Sequence, residues 1–242
     1  MDWSSGSEEG QPLKLENNEE PLLMFQRFIK WRVADELKKL LKPHVPEFPD
    51  ECPAAVNAFY MPETNALTIP GGIINAPFYS HDTLRSVNYG GIGTVIGHEI
   101  THGFDDQGSN YDRNGKLEHW WTEEARSQFL SKKTCFVDQY SAFKVKELNS
   151  TVNGELTQGE NIADNGGIKT AFLAYLAITG GNPEALPGLE KYNDQQLFFL
   201  SYASVSCVAC SLMYYDYLPL GFCKYKNKME LTRTLEDMYK YC

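Results

Sequence analysis

Val95-Ile96-Gly97-His98-Glu99-Ile100-Thr101-His102 is the stretch on which the reading of this 242-residue chain turns. Ile92, Val95, Ile96 and Ile100 recur at three- and four-residue steps, so the stretch reads as the end of a helix over 88–102 that Gly103 stops. On a helix, His98 and His102 stand on one face, about 6 Å apart along the axis. Their imidazoles can converge on one ion at about 2.0–2.1 Å, the usual zinc–nitrogen distance. Glu99, beside the first histidine, is then placed to take a proton from water acidified by that ion without ligating the ion itself. A match to H-E-x-x-H arises by chance in on the order of one chain in a hundred of this size, so the motif needs support from elsewhere. The same helix carries Gly90, Gly91, Gly93 and Gly97, each costing about 1 kcal/mol against alanine. A helix keeps that many only where something packs hard against its backbone.

Support comes from Gly159-Glu160-Asn161-Ile162-Ala163-Asp164-Asn165-Gly166-Gly167. A helix over 160–178, ended by Gly180-Gly181, puts Glu160 and Asp164 on one face. Two carboxylates one turn apart repel mildly on a solvated helix; beside a cation that penalty reverses. A catalytic zinc takes three protein donors and leaves one place for water, and Glu160 would be the third donor. Asp105 and Asp164 are natural acceptors for the outward ring N–H groups of the two histidines, which fixes tautomer and orientation. His44, His81 and His119 read as ordinary core or surface histidines.

Outward from this centre, Phe25, Phe28, Ile29, Val33, Leu37, Leu40 and Leu41 mark an amphipathic helix over 23–41, stopped by Pro43 and Pro46. Ala55–Tyr60 and Asn65–Ile69 resemble two strands joined across Met61-Pro62-Glu63-Thr64, and Pro70-Gly71-Gly72 closes that hairpin. Thr122 is placed to cap a helix whose first turn holds Glu123 and Glu124, with Phe129, Phe136, Tyr140 and Phe143 as its apolar stripe. A last helix begins near Asp194. The run from Leu197 to Tyr215 is free of Asp, Glu, Lys and Arg, but Ser, Tyr and Cys interrupt it, so it reads as a buried helix rather than a membrane span. The chain thus divides into an acidic tail over 1–22, a helix and Pro-rich linker over 23–54, a catalytic domain over 55–207 and a Cys-rich segment over 208–242.

A formal net charge of -10 argues against nucleic acid as a partner, since such binding needs a basic face. The first residues, Met1-Asp2-Trp3-Ser4-Ser5-Gly6, show neither the basic start nor the apolar run of a secretory signal. Six cysteines, four of them at Cys207, Cys210, Cys223 and Cys242, allow disulfides in an oxidising compartment, and no pairing can be read from their spacing. Cys207-x-x-Cys210 is also half of a possible zinc site. Asn149-Ser150-Thr151 is a glycosylation triplet that fits a surface turn of a secreted protein and that also arises by chance.

Taken together, Val56-Asn57-Ala58-Phe59-Tyr60, Asn88-Tyr89-Gly90-Gly91-Ile92-Gly93, the run from Val95 to Asp106, Gly159 to Gly167 and Leu197-Phe198-Phe199-Leu200 resemble neprilysin and the endothelin-converting enzymes. These are zinc metalloendopeptidases of the gluzincin type, and the resemblance covers roughly Ala55 to Cys207. It implies an α+β, mainly α-helical, zincin-like metallopeptidase catalytic domain with a small β-hairpin. It implies one zinc ion on His98, His102 and Glu160, and Glu99 as general base. Asp164 would support His98 and act as a proton donor, Asp105 would support His102, and Asn57 and Ala58 would hold the substrate backbone. The implied substrates are oligopeptides cut on the amino side of hydrophobic residues, and the implied location is extracellular or at the cell surface.

Members of that family usually begin with a cytoplasmic tail, a transmembrane helix and a large helical region roofing the active site. They continue beyond the position of Cys207 with a His-x-Pro stretch and an arginine that grip the oxyanion and the substrate. Here 208–242 holds no histidine and one arginine, Arg233. The expectation is therefore a zinc endopeptidase shortened at both ends. The alternatives are a catalytically silent zinc-binding decoy and a structural protein with zinc on Cys207, Cys210, Cys223 and Cys242.

Overall fold

In the computed structural model, the described residues are 20–41, 52–145, 149–179 and 185–212, with only the backbone given for Lys39, Val145 and 207–212. The chain divides into two compact units, Met1–Glu47 and Phe48–Cys242. In the first, α1 (Pro21–Lys39) opens with proline at its first turn, where the missing N–H costs nothing. It ends two residues before the expected boundary, and Phe25, Phe28, Val33 and Leu37 on its apolar stripe are exposed. Residues 1–19 of the expected 1–22 tail and the prolines at 43 and 46 lie outside the described residues, whereas Pro21 and Leu22, assigned to that tail, already belong to α1.

The second unit begins with a hairpin. Strands β1 (Phe59–Met61) and β2 (Ala66–Thr68) pair antiparallel with Tyr60 opposite Leu67. The expected strand over 55–60 is shortened, because a turn in which the Ala55 N–H bonds to the Cys52 carbonyl (2.9 Å) occupies its start. Asn65 turns the chain with φ 47°, a conformation that asparagine tolerates. Gly71–Ile73 then forms a short 3-10 turn.

The expected helix over 88–102 is longer and less regular than its pattern. It runs as α2 (Arg85–Asn88), a π-helical turn over Tyr89–Gly93, and α3 (Thr94–His102). The Ile92 N–H leaves the helical ladder to bond the Phe78 carbonyl at 2.8 Å, and a diverted bond of this kind widens a turn. Gly103 follows α3 with φ -62°, so it ends the helix without entering the left-handed region.

Helix α4 (Glu123–Ser141) is capped as expected, with the Ala125 N–H donating to Thr122 Oγ1 at 3.2 Å. A second hairpin of β3 (Lys144–Val145) and β4 (Ser150–Thr151) follows, which two-residue strands leave invisible to a pattern search. Helices α5 (Gln158–Thr179) and α6 (Asp194–Leu212) form the core around Ile168, Tyr175, Phe198 and Phe199. Tyr175 donates to Asp194 Oδ2 at 2.6 Å and so ties the start of α6 to α5. Leu197, Phe198, Phe199 and Val205 are buried, and no helix among the described residues is long and apolar enough to cross a membrane.

The contact that positions everything else is the crossing of α3 and α5. A methyl group on Gly167 would stand 2.5 Å from the His98 nitrogen, and one on Gly97 would stand 2.7 Å from the Gly167 carbonyl oxygen. A methyl on Gly166 would strike the side chain of Thr101. The helices therefore meet backbone to backbone.

Gly167→Ala forces them apart and is expected to cost about 1–3 kcal/mol, the range for overpacking. That lowers the melting temperature by about 2–12 °C for a domain of this size. Gly93→Ala meets its nearest neighbours at 3.6 Å on helical backbone and is expected to hold or raise the melting temperature. Calorimetry on the two variants separates a glycine kept for close approach from one that is not.

Candidate metal centre

Helix α3 places His98 and His102 one turn apart on the face that meets α5, and the first turn of α5 brings Glu160 to the same point. The two Nε2 atoms lie 2.9 Å apart, with their rings nearly perpendicular at 87°. Glu160 Oε2 is 3.3 Å from His98 Nε2, and its Oε1 is 3.8 Å from His102 Nε2. A tetrahedral ion with bonds of 2.0–2.1 Å separates its donors by about 3.3–3.4 Å. The His98–Glu160 distance matches that value, and one donor atom from each of the three residues lies within 4.8 Å of the others, so this donor set fits zinc. Among the described residues these three form the group able to share a metal ion. The Glu160 side chain stays 53% exposed, which keeps one side of the group open to solvent.

Behind each imidazole stands the carboxylate expected from the sequence. His98 Nδ1 is 2.9 Å from Asp164 Oδ1, and His102 Nδ1 is 2.6 Å from Asp105 Oδ2. When these imidazoles bind a metal ion as neutral rings, Nδ1–H donates outward to the carboxylate and the Nε2 lone pair is the one that faces the ion. Asp105 is only 4% exposed, and its Oδ1 accepts the backbone N–H groups of Gln107 (2.8 Å) and Gly108 (2.7 Å). The loop that carries it is tied down in turn. Trp121 Nε1 donates to the Ser109 carbonyl at 2.7 Å, and Arg126 reaches Ser109 Oγ and Asn110 Oδ1 from α4.

The charges show what the site is built to hold. Burial alone would lower the imidazole of His98, but its hydrogen bonds to Asp164 and Glu160 outweigh it and raise the group to about 10. His102 is also raised: burial opposes the shift and the bond to Asp105 drives it. Glu160 is pulled down by its bond to His98 against the effect of burial. Glu99, 7% exposed, is pushed up chiefly by burial, with the two histidines opposing. Four carboxylates around two imidazoles form a cluster that favours a cation.

Sequence reasoning missed the brace beneath Asp164. Asn165 Nδ2 donates to Tyr140 Oη at 3.0 Å and to the Asn161 carbonyl at 2.7 Å, which joins α4 to α5 at the level of the site. Burial and then the charge of Asp164 push Tyr140 up to about 12, and Tyr202 is raised by the same two causes. Tyr140 was visible only as part of an apolar stripe; nothing local marks its hydroxyl for use. Asn57 and Ala58 lead into β1, with the Ala58 N–H bonded to Asn57 Oδ1 at 3.0 Å and Ala58 buried. His81 and His119 are exposed. His44 and the side chains of Cys207, Cys210, Cys223 and Cys242 lie outside the described residues, as does Arg233. Cys135 is disulfide-bonded, and Cys52 is an exposed free thiol.

Residues 57–213 match the description of Peptidase family M13. The chain belongs to peptidase family M13. This M13 chain is 48% identical to Neprilysin-11 of Caenorhabditis elegans over 197 residues, which cover 81% of it and 23% of that protein. It is 46% identical to an endothelin-converting enzyme homolog of Locusta migratoria over 185 residues, covering 76% and 25%. Among solved structures it resembles the zinc metalloprotease Zmp1 of Mycobacterium tuberculosis in complex with an inhibitor. That match has a TM-score of 0.71 and 32% identity, over 89% of this chain and 34% of that one. PepO of Lactobacillus rhamnosis gives a TM-score of 0.64 at 33% identity, over 78% and 28%. The M13 chain thus spans about a quarter of the length of the curated relatives it matches. Both the resemblance to neprilysin and the endothelin-converting enzymes and the mainly helical α+β metallopeptidase architecture hold.

A proton and a metal ion compete for the same imidazole nitrogen. His98, raised to about 10 in the metal-free chain, is protonated at neutral pH, so zinc uptake expels a proton and zinc affinity rises with pH. Titration against a chromogenic chelator is expected to give tighter zinc binding at pH 8 than at pH 6. Asp164→Asn, which removes the anionic acceptor of His98, is expected to weaken zinc about 10–100-fold.

Proposed function

We propose that this chain carries the catalytic centre of a zinc-dependent endopeptidase that hydrolyses oligopeptides. The observation that carries the reading is the meeting of His98, His102 and Glu160, with one donor atom from each within 4.8 Å of the others, beside the buried Glu99. One zinc ion held there supplies a Lewis acid that polarises a scissile carbonyl and acidifies water. Membership of family M13, with relatives named neprilysin and endothelin-converting enzyme, supports peptides as the substrate class.

Glu99 is the general base. Its carboxylate is raised by burial, which brings its proton affinity closer to that needed to accept a proton from water and pass it to the leaving amine. Asp164 and Asp105 hold the imidazoles in the tautomer that presents Nε2. Asp164 also acts as a proton donor in this reading, and its partial exposure beside His98 supports that role. Asn57 and Ala58 hold the substrate backbone. Among the described residues β1 pairs with β2 alone, and an extended peptide would add along its other edge while Asn57 bridges the peptide amides. Cleavage on the amino side of hydrophobic residues completes the reading. The disulfide at Cys135 supports an oxidising, extracellular setting, and the net charge of -10 supports peptides rather than nucleic acid as the partner.

The test is a comparison of wild type with Glu99→Gln, both loaded with zinc and assayed on a quenched fluorogenic peptide. Glu99→Gln is expected to keep its zinc and lose about 10²–10⁴-fold in turnover, the usual worth of a positioned proton acceptor. Glu160→Ala is expected to lose zinc. Background turnover in both zinc-loaded proteins would instead describe an inert zinc-binding module.

A further inference from the structure

Asn149-Ser150-Thr151 is the only Asn-x-Ser/Thr triplet in the chain. In the structure it stands at the surface, at the start of β4. Thr151 is opposite Lys144 and Ser150 opposite Val145, and all three residues of the triplet are exposed. Asn149 has φ 45°, the left-handed conformation that lets asparagine close a turn.

What distinguishes Asn149 is its side chain. Among the described residues every other asparagine uses its carboxamide in a hydrogen bond. Asn57, Asn65, Asn75, Asn88 and Asn110 each hold a nearby backbone or side-chain group. Asn114, Asn153, Asn161, Asn165 and Asn193 do the same. The Asn149 carboxamide has no such partner among the described residues. An asparagine with a structural task would be bonded; this one is presented to solvent, with the threonine hydroxyl that a glycosyl-transferring enzyme reads two residues on.

We infer that Asn149 is a site of N-linked glycosylation. The inference rests on the extracellular reading given above. The donor is an oligosaccharide on a polyisoprenyl pyrophosphate, met in the secretory lumen. A bond forms between Asn149 Nδ2 and the anomeric carbon as the anomeric carbon–oxygen bond breaks. The lipid pyrophosphate leaves with the electron pair, and Nδ2 loses one proton. Ser150 at the middle position, rather than proline, keeps the triplet competent. The exposed turn leaves the attached sugar in water, as a bulky, hydrated group requires.

The test uses the full chain behind a heterologous secretion leader, translated with microsomes, with entry scored by protection from added protease. Protected wild type is expected to carry one oligosaccharide per chain. An amidase that cuts the sugar–asparagine bond removes it and converts Asn149 to aspartate, located by peptide mass mapping. Asn149→Gln and Thr151→Ala are expected to carry none, Thr151→Ser to keep it, and Asn149→Gln to bind zinc like wild type. Because the leader forces entry, a protected wild-type chain without sugar at Asn149 overturns the inference even where the extracellular reading stands.

Discussion

The backbone contact between α3 and α5 governs the site. Helices separated by ordinary side chains pack with their axes 8–10 Å apart. At Gly97 and Gly167 nothing larger than hydrogen separates the two backbones. Only at that approach can Asp164, on α5, reach His98 Nδ1 at 2.9 Å while Glu160, one turn earlier, reaches His98 Nε2 at 3.3 Å. The four-residue spacing of Glu160 and Asp164 brings one carboxylate to each nitrogen of the same imidazole. One helix thus grips both sides of the ring carried by the other.

Electrostatics explains why such a contact is worth its local cost. Glu99, Asp105, Glu160 and Asp164 crowd two imidazoles, and in the metal-free chain the result is a histidine raised to about 10 and a buried glutamate also pushed upward. Both groups hold a proton more tightly than usual, and a divalent cation bound there would displace the imidazole proton and favour the ionised carboxylate. Asp105 shows how firmly the arrangement is fixed. Both its oxygens are engaged, one by His102 and the other by two backbone N–H groups, and the loop beneath it is held by Trp121 and Arg126.

Much of this was legible in the sequence because it is periodic and local. His98, His102 and Asp105 lie within eight residues, and Glu160 with Asp164 within five, so helical geometry alone aligns each set. Bringing the two sets together is a tertiary fact, and the sequence signalled it only through glycines placed where a helix should not want them. The cap at Thr122 was legible for the same local reason. The hairpin of β3 and β4 was not, since strands of two residues have no period to detect. The π-helical turn was equally hidden: it depends on the Phe78 carbonyl, fourteen positions before Ile92, capturing an N–H that the helix would otherwise keep. Tyr140 was assigned to an apolar face and does lie buried, yet its hydroxyl accepts from Asn165. A hydropathy pattern cannot separate a ring that only packs from one that also bonds.

The glycines thus carry two different messages. Those at Gly90 and Gly91 let the π-helical turn lie directly against the backbone of Phe198 and Phe78, anchoring the entry to α3. Those at Gly97, Gly166 and Gly167 set the approach of α5 at the level of His98 and Asp164. Each weakens its helix by roughly 1 kcal/mol when considered alone. Their shared effect is rigidity on both sides of His98, with one contact fixing where the helix begins and the other fixing what faces the imidazole. A side-chain cluster spread over two helices needs both, because a small rotation of α3 about its axis would turn both imidazoles away from Glu160 at once. Local sequence rules are broken here at the positions where the site demands it, and the close packing of backbone on backbone offsets the loss.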